Sequence, residues 1–187
     1  MGKKQSALIM FQPPAYGSFP DVNWSTADLC DAHLADAQWG VQVVGPGLQT
    51  YGGRRWYFGE VVTAANPPVG IMSLADLCSS PGHGRVLVAN AEGSPLHAVV
   101  GDRMAALAAQ YGWVGIVVNG VVRDTKDLAR MPIGIHALGT RSNRAPDMRP
   151  ATSGGAFEML GVNVEPGLWL YADEDGVILM KKRHTQD

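Results

Sequence analysis

The stretch "GDRMAALAAQYGWVGIVVNGVVRD" spans residues 101–124. Residues 102–111 are rich in Ala, Leu and Met and read as a helix, and Gly112 closes it in the usual C-terminal manner. The run WVGIVVNG, 113–120, is almost continuously apolar and reads as a buried strand. A helix of about nine residues carries the chain roughly 14 Å away from Asp102. A strand of about six residues brings it back roughly 20 Å. The unit is therefore a return trip, and it predicts that Asp102, Arg123 and Asp124 share one edge. That edge lies at the C-terminal ends of strands, where α/β sheets commonly hold ligands.

The same reading extends outward. Ser25 and Asp28 form a capping signal for a first helix with Leu29, Cys30, His33 and Leu34 on one face. EVVTAAN (60–66) and RVLVAN (85–90) read as strands, and SLADLCSS (73–80) as a short helix stopped by Pro81-Gly82. DTKDLARM (124–131) reads as a short polar helix, and IGIHALGT (133–140) as another strand. SNRAPDMRPATSGG (142–155) reads as a loop. GLWLYADEDGVILM (167–180) reads as a hairpin turning at Glu174-Asp175-Gly176. Helices alternating with buried strands, flanked by a hairpin, predict a layered α/β domain with mixed sheets. Residues 1–23, with Pro13, Pro14 and Pro20, read as an N-terminal extension. Residues 24–180 read as a single domain, and 181–187 as a charged, frayed tail.

Composition narrows the function classes. The chain has 187 residues, 46% hydrophobic and 17% charged, which is enough to bury a core. A formal charge of −2 supplies no field for direct nucleic-acid binding. No apolar run is long enough for a membrane-spanning helix. Cys30 and Cys78 sit in similar contexts, ADLCD and ADLCS, and read as packed thiols on helices. Two cysteines with no CxxC pair imply neither a zinc site nor a disulfide framework, and fit a reducing, cytoplasmic setting. Gly2 and Ser6 match a loose myristoylation spacing, against which Lys3 argues.

The 101–124 edge is chemically specific. The helix start at Gly101–Met104 presents backbone N–H groups that favour an anion. Arg123 adds a two-pronged donor for a carboxylate. Asp124 is a hard oxygen ligand for a divalent cation, with waters filling other positions. Asp102 can act as acid or base through water. Together the groups suit a 2-oxo acid. From spacing alone a plainer reading competes: Asp102 as an N-cap residue, and Arg123-Asp124 as a surface pair capping the next helix.

The motifs STADLCDA, YGGRRWYFGEVVTA, GRVLVANAEGS, AVVGDRMAALAAQYGWVGIVVNGVVRD, IGIHALGT and LWLYADEDGVIL, in that order, carry a resemblance. Over about residues 25–180 the chain resembles the family of the regulator of ribonuclease activity A and the class II 4-hydroxy-4-methyl-2-oxoglutarate aldolases. The aldolase branch is similar in carrying G-D-x20-R-D, complete here as Gly101, Asp102, Arg123 and Asp124. The resemblance implies a swivelling β/β/α domain that forms a homotrimer or hexamer. It implies that Gly101, Asp102, Arg103, Met104 and Arg123 hold a pyruvyl substrate, with Asp102 and Arg123 catalytic. It implies that Asp124 organises Mg²⁺ or Mn²⁺. The expected activity is a metal-dependent lyase that releases pyruvate, with oxaloacetate decarboxylation by the same chemistry. The alternative is a protein-binding regulator of a ribonuclease. A quinone methyltransferase role, also attached to this family, finds no nucleotide-type glycine loop here. The extension at the N-terminus and the stretch near 141–153 look longer than in a minimal member.

Other conspicuous residues read as structural. Gly52-Gly53-Arg54-Arg55 reads as a turn, and PGHGR (81–85) as a loop without the length or lysine of a phosphate loop. His33, His83, His97, His136 and His184 lack ligand spacing and read as packing, loop or tail residues. The five tryptophans read as anchors of core and interface. Asp173, Glu174 and Asp175 read as a solvated hairpin tip.

Overall fold

A computed structural model describes residues 23–185. Residues 1–22, including the Gly2 and Ser6 spacing, and residues 186–187 lie outside the described range. The chain opens with helix α1 (Thr26–His33), short strands β1 (Gln42–Val43) and β2 (Gln49–Thr50), and the long strand β3 (Tyr57–Ala65). Strand β4 (Ile71–Ser73) and helix α2 (Ala75–Cys78) lead into β5 (Val86–Asn90) and β6 (Ala98–Val100). Helix α3 (Asp102–Gln110), strand β7 (Gly115–Val122), helix α4 (Thr125–Leu128) and strand β8 (Gly134–Thr140) follow. The chain continues through β9 (Met148–Pro150), β10 (Thr152–Ser153), β11 (Phe157–Met159) and β12 (Val162–Val164). It ends with the hairpin β13 (Trp169–Ala172) and β14 (Val177–Met180).

One ten-stranded sheet runs in the order β1-β14-β13-β3-β5-β7-β8-β2, with β10 on β3 and β6 on β7. Strands β3, β5, β7 and β8 are mutually parallel, whereas β13 is antiparallel to β3 and β14. The apolar runs read in the sequence are continuous because both faces of this sheet are covered. On β5, Leu87 and Ala89 join one core cluster while Val86 and Val88 join the other. On β7, Ile116 and Val118 face one way and Val117 the other.

The first face packs on Cys78, Ala105, Ala108 and Leu128 of the helices. The second packs on Met159, Val162, Val164, Leu170 and Leu179 of the antiparallel strands. A third cluster sets Trp24 and Leu29 against Tyr171, Ile178 and Met180. The expected α/β class with layered mixed sheets holds.

Helix ends follow their local chemistry. The Ser25 Oγ accepts from the Asp28 N–H at 3.0 Å, so the capping signal is used. At the end of α3, Trp113 N–H donates to Ala108 O and Gly112 N–H to Ala109 O, at 3.0 and 3.2 Å. Gly112 has φ +82°, the left-handed residue that this closing motif needs.

Four expectations need correcting. Leu34 is 57% exposed, so the first helix buries Leu29 but not the whole proposed face. The supposed loop at 142–155 contains β9, parallel to β4, and β10, antiparallel to β3. The tail is not frayed over residues 181–184. Lys181 N–H donates to Trp39 O, Arg183 lies over Phe58 and Trp169, and His184 N–H donates to the Tyr171 hydroxyl. Asp173 is only 2% exposed. Its carboxylate accepts from Thr26 N–H and Oγ1 and from the N–H groups of Asp175 and Gly176, which ties the hairpin turn to the start of α1.

Candidate active site

Strands β6 and β7 pair in parallel, with Val100 opposite Val122, and α3 is the crossover between them. The Arg123 N–H continues the ladder by donating to Val100 O at 3.0 Å. That pairing puts the start of α3 beside the end of β7, as the helix and strand lengths require. Asp102, Arg123 and Asp124 are thereby brought together. The Asp124 Oδ2 accepts from the Asp102 N–H at 3.2 Å and lies 3.4 Å from Arg123 Nε.

Gly101 makes this approach possible. A Cβ there would stand 2.6 Å from Asp124 Oδ2 and 3.1 Å from Arg123 Nε. Asp124 itself adopts the left-handed conformation, φ +60°, which Asp tolerates better than most residues. Its carbonyl then accepts from Asp127 and Leu128 and starts α4.

One expectation changes in detail. The N–H groups at the start of α3 are not all left for a ligand. Asp124 takes that of Asp102, and the Asp102 Oδ1 takes that of Arg103 at 2.7 Å. The side chains of Arg123 and Asp124 remain 34% and 33% exposed, so their charges stay partly hydrated.

Two cavities meet at Arg123. One, of about 250 Å³, is lined by Gly101, Asp102, Arg103, Met104 and Arg123, with Ala98 and Val99 from β6. Ser73, Leu74 and Ala75 line it as well, and Arg144 and Met148 complete its wall. The other, of about 350 Å³, is lined by Arg123, Asp124, Thr125, Thr140, Arg141 and Ser142. All five residues assigned to substrate thus share the first cavity, and Asp124 faces the second.

The sequence reading missed Arg144, Met148 and the Ser73–Ala75 turn. Met148 and the Ser73–Ala75 turn are placed by β4 pairing with β9, and Arg144 by the Ala98 N–H donating to the Asn143 carbonyl, both contacts between distant segments.

The chemistry of the donor set bears on a metal. Among the described residues no group of three or more His, Cys, Asp or Glu side chains is gathered. Asp124 is the acidic residue of the second cavity, whose other polar groups are hydroxyls and guanidiniums. A single carboxylate suits Mg²⁺ or Mn²⁺ that keeps waters and takes further oxygens from substrate, not a protein-enclosed ion.

A larger cavity, about 510 Å³, lies elsewhere, between Trp24, Trp56, Phe58 and Trp169, with Arg54 and Arg183. Among the described residues its lining includes no carboxylate, so it lacks the chemistry of the 101–124 edge. Arg54 belongs to this cavity and not to the Arg123 site, consistent with a structural reading of Gly52-Gly53-Arg54-Arg55. Of the histidines, His136 is fully packed, at 2% exposure. His33 stacks on Trp39 at 3.9 Å. Cys78 is buried and Cys30 half-buried, both reduced.

With this geometry in place, comparison with known proteins is decisive for the family. The family model described as "RraA-like: Aldolase/RraA" matches residues 26–179. The chain belongs to the RraA-like family.

A relative from Albidiferax ferrireducens, named "Putative 4-hydroxy-4-methyl-2-oxoglutarate aldolase", is 36% identical over 168 residues, covering 86% of this chain and 97% of its own length. A protein of the same name from Laribacter hongkongensis is 38% identical over 161 residues, covering 84% and 96%. Among solved structures, the RNA-processing inhibitor RraA from Thermus thermophilis superposes with TM-score 0.78 at 30% identity, covering 88% of this chain and 96% of that one. A protein from Geobacillus kaustophilus titled as an S-adenosylmethionine:2-dimethylmenaquinone methyltransferase also gives TM-score 0.78, at 33% identity, covering 86% and 96%. The expected family and its fold are therefore shown for this RraA-like chain.

Proposed function

We propose that this RraA-like protein is a divalent-metal-dependent lyase that cleaves 4-hydroxy-4-methyl-2-oxoglutarate, or a related 2-oxo acid, to pyruvate. The observation that carries the reading is the contact between the start of α3 and the end of β7, with Arg123 and Asp124 side by side at 3.4 Å. The aldolase names of relatives at 36–38% identity support it.

In this reading Arg123 pairs with the substrate's C1 carboxylate, and Gly101–Met104 forms the floor beneath the pyruvyl part. Gly101 keeps the floor low enough for Arg123 and Asp124 to close over it. Asp124 would hold Mg²⁺ or Mn²⁺, which supplies positive charge to the 2-oxo oxygen. Asp102, acting through water, takes the proton of the C4 hydroxyl. The C3–C4 bond breaks and its electron pair moves toward the 2-oxo oxygen. A proton from water then returns to C3, giving pyruvate. Oxaloacetate would lose CO₂ by the same electron flow. A homotrimer or hexamer and a cytoplasmic setting belong to the same proposal. Light scattering measures the first, and no helix of the described residues is long and apolar enough to cross a membrane.

The test mixes purified protein with Mg²⁺ and either substrate and follows pyruvate. Metal-dependent release, abolished by chelator and by Arg123→Ala, is the expected result. No release, or release unaffected by Arg123→Ala, overturns the reading.

A second reading, a regulator that binds a ribonuclease, is favoured by the likeness to the RNA-processing inhibitor RraA. Ribonuclease capture and slowed RNA decay, both unchanged by Asp124→Ala, would support it.

A further inference from the structure

The cavity over the start of α3 holds more positive charge than a pyruvyl group requires. Its lining residues include three arginines, Arg103, Arg123 and Arg144, and one acidic residue, Asp102. Arg103 sits in the first turn of α3, where a cation adds to the positive end of the helix dipole. The Asp102 carboxylate is partly spent on the Arg103 N–H. Arg123 is engaged with Asp124, but among the described residues no acidic partner is recorded for Arg144, the ion pairs there being Arg123–Asp124 and Arg149–Asp147. An uncompensated cation in the same cavity as others favours a ligand with more than one negative charge.

Arg144 is also held at its root. On one side, the Asn143 carbonyl accepts from the Ala98 N–H at 2.9 Å, and Asn143 Nδ2 donates to Leu96 O at 3.3 Å. On the other side, Ala145 is 2% exposed and locks into the core. Three residues before Arg144, the Arg141 N–H donates to Val122 O at 2.9 Å, which ties the turn to the end of β7. The exposed side chain therefore grows from a fixed backbone, on the wall that also carries Met148. The start of α3 lines the same cavity. A ligand whose first carboxylate lies on Arg123 therefore occupies a space that Arg144 also borders.

We propose that Arg144 determines specificity, by pairing with the distal carboxylate of a 2-oxo dicarboxylic acid. The proposal rests on the reading of this cavity as the 2-oxo acid site, and it deepens that reading by naming the residue that separates diacids from monoacids. Arg144 is a binding residue here and takes no part in bond cleavage.

Equilibrium binding tests it without turnover. Calorimetric titration in Mg²⁺ compares 2-oxoglutarate with 2-oxobutyrate, which lacks the second carboxylate. The proteins are wild type, Arg144→Gln, Arg144→Lys and Arg149→Gln, the last removing a nearby charge that lines neither cavity. Wild type binds the diacid more tightly. Arg144→Gln weakens the diacid by about tenfold, the scale of one charge-assisted pair, with little change for the monoacid. Arg144→Lys keeps part of the preference, and Arg149→Gln keeps all of it.

The proposal is overturned if Arg144→Gln leaves the diacid unchanged or weakens both acids equally, if Arg149→Gln erases the preference too, or if wild type binds no diacid. Pyruvate release is scored separately. Diacid binding through Arg144 without pyruvate release sustains this inference and sinks the lyase reading. Pyruvate release with a preference insensitive to Arg144→Gln does the reverse.

Discussion

At the N-terminal ends of β7 and β8 the Tyr57 ring lies over Gly115 and Gly134, so closely that a Cβ on either glycine would enter the ring. At the C-terminal ends of the same strands, Arg123 and Arg141 stand beside open cavities. The closed end is polar too, and its Tyr57–His136 pair is hydrogen-bonded on both sides of the imidazole. The Tyr57 hydroxyl lies 2.6 Å from His136 Nδ1, and His136 Nε2 lies 3.2 Å from the Asp173 carbonyl. Because a carbonyl only accepts, Nε2 carries the proton, Nδ1 accepts, and Tyr57 donates. The open end instead anchors charges through backbone contacts and leaves their outer faces to water. One end of the sheet is thus anchored by the buried Tyr57–His136 pair, with the cavity of about 510 Å³ opening on the outer side of Tyr57 and Val114. The other end carries partly exposed charges, so substitutions should separate the two.

The largest effect is expected at the closed end. Tyr57→Ala removes a 3%-exposed ring and strands the His136 Nδ1. We expect a loss of about 3–5 kcal/mol, typical of aromatic-to-Ala changes in cores, read by chemical denaturation. A loss below about 1 kcal/mol would mean that the closed end does not hold the sheet. Next comes Arg123→Ala at the open end. Pyruvate release per folded protein should fall by about 10²–10³-fold, the scale of removing one preorganised charge-stabilising donor. Its partly exposed side chain should cost little stability. A variant that unfolds but stays active when folded would reverse the two roles.

The open end was readable in the sequence to the extent that it is local. Asp102 and Arg123 bracket one helix and one strand, so element lengths alone return them to each other. Gly112 marks the turn between. The wall carrying Arg144 and Met148 was not readable, because Met148–Pro150 shows no alternation and pairs through its backbone with residues 71–73, and Asn143 beside Arg144 is held by Ala98 and Leu96. Asp173 misled for a related reason. Three acidic residues at a hairpin look solvated, yet this one is a shared acceptor for four donors, two of them 147 residues away in sequence. Contacts of that range leave no periodic trace.

The third effect is a pH dependence confined to the closed end. Burial lowers the His136 pKa from its ordinary 6.5 to about 4. The unfolded chain therefore takes up a proton near pH 6.5 while the folded chain resists until about pH 4. Stability is complete above the unfolded value and falls as pH drops through this window, by roughly 1 kcal/mol per pH unit. Below about pH 4 both states are protonated and this slope ends. Denaturation midpoints across pH 4–7 for wild type and His136→Gln measure the difference. Equal slopes for the two proteins would remove His136 as the cause.

The smallest effect tests the link between the ends. Helix α3 starts at the open end and finishes at Gly112, and the strand returns from there. Gly112 differs from Gly134 in why it is glycine. At Gly134 the obstacle is the Tyr57 ring, whereas at Gly112 a Cβ would meet only the His83 nitrogen, at 3.8 Å. The constraint at Gly112 is its φ of +82°, which costs an L-residue on the order of 1 kcal/mol. Gly112→Ala should therefore lower stability by about that much, a shift of roughly 2–4 °C in Tm for a chain of this size. Pyruvate release per folded protein should not change, because the β6–β7 ladder, not the far end of α3, holds Asp102 against Asp124. A fall in activity without a matching fall in stability would show that the helix end positions the site after all. The open end would then depend on the closed one through α3 as well as through the sheet.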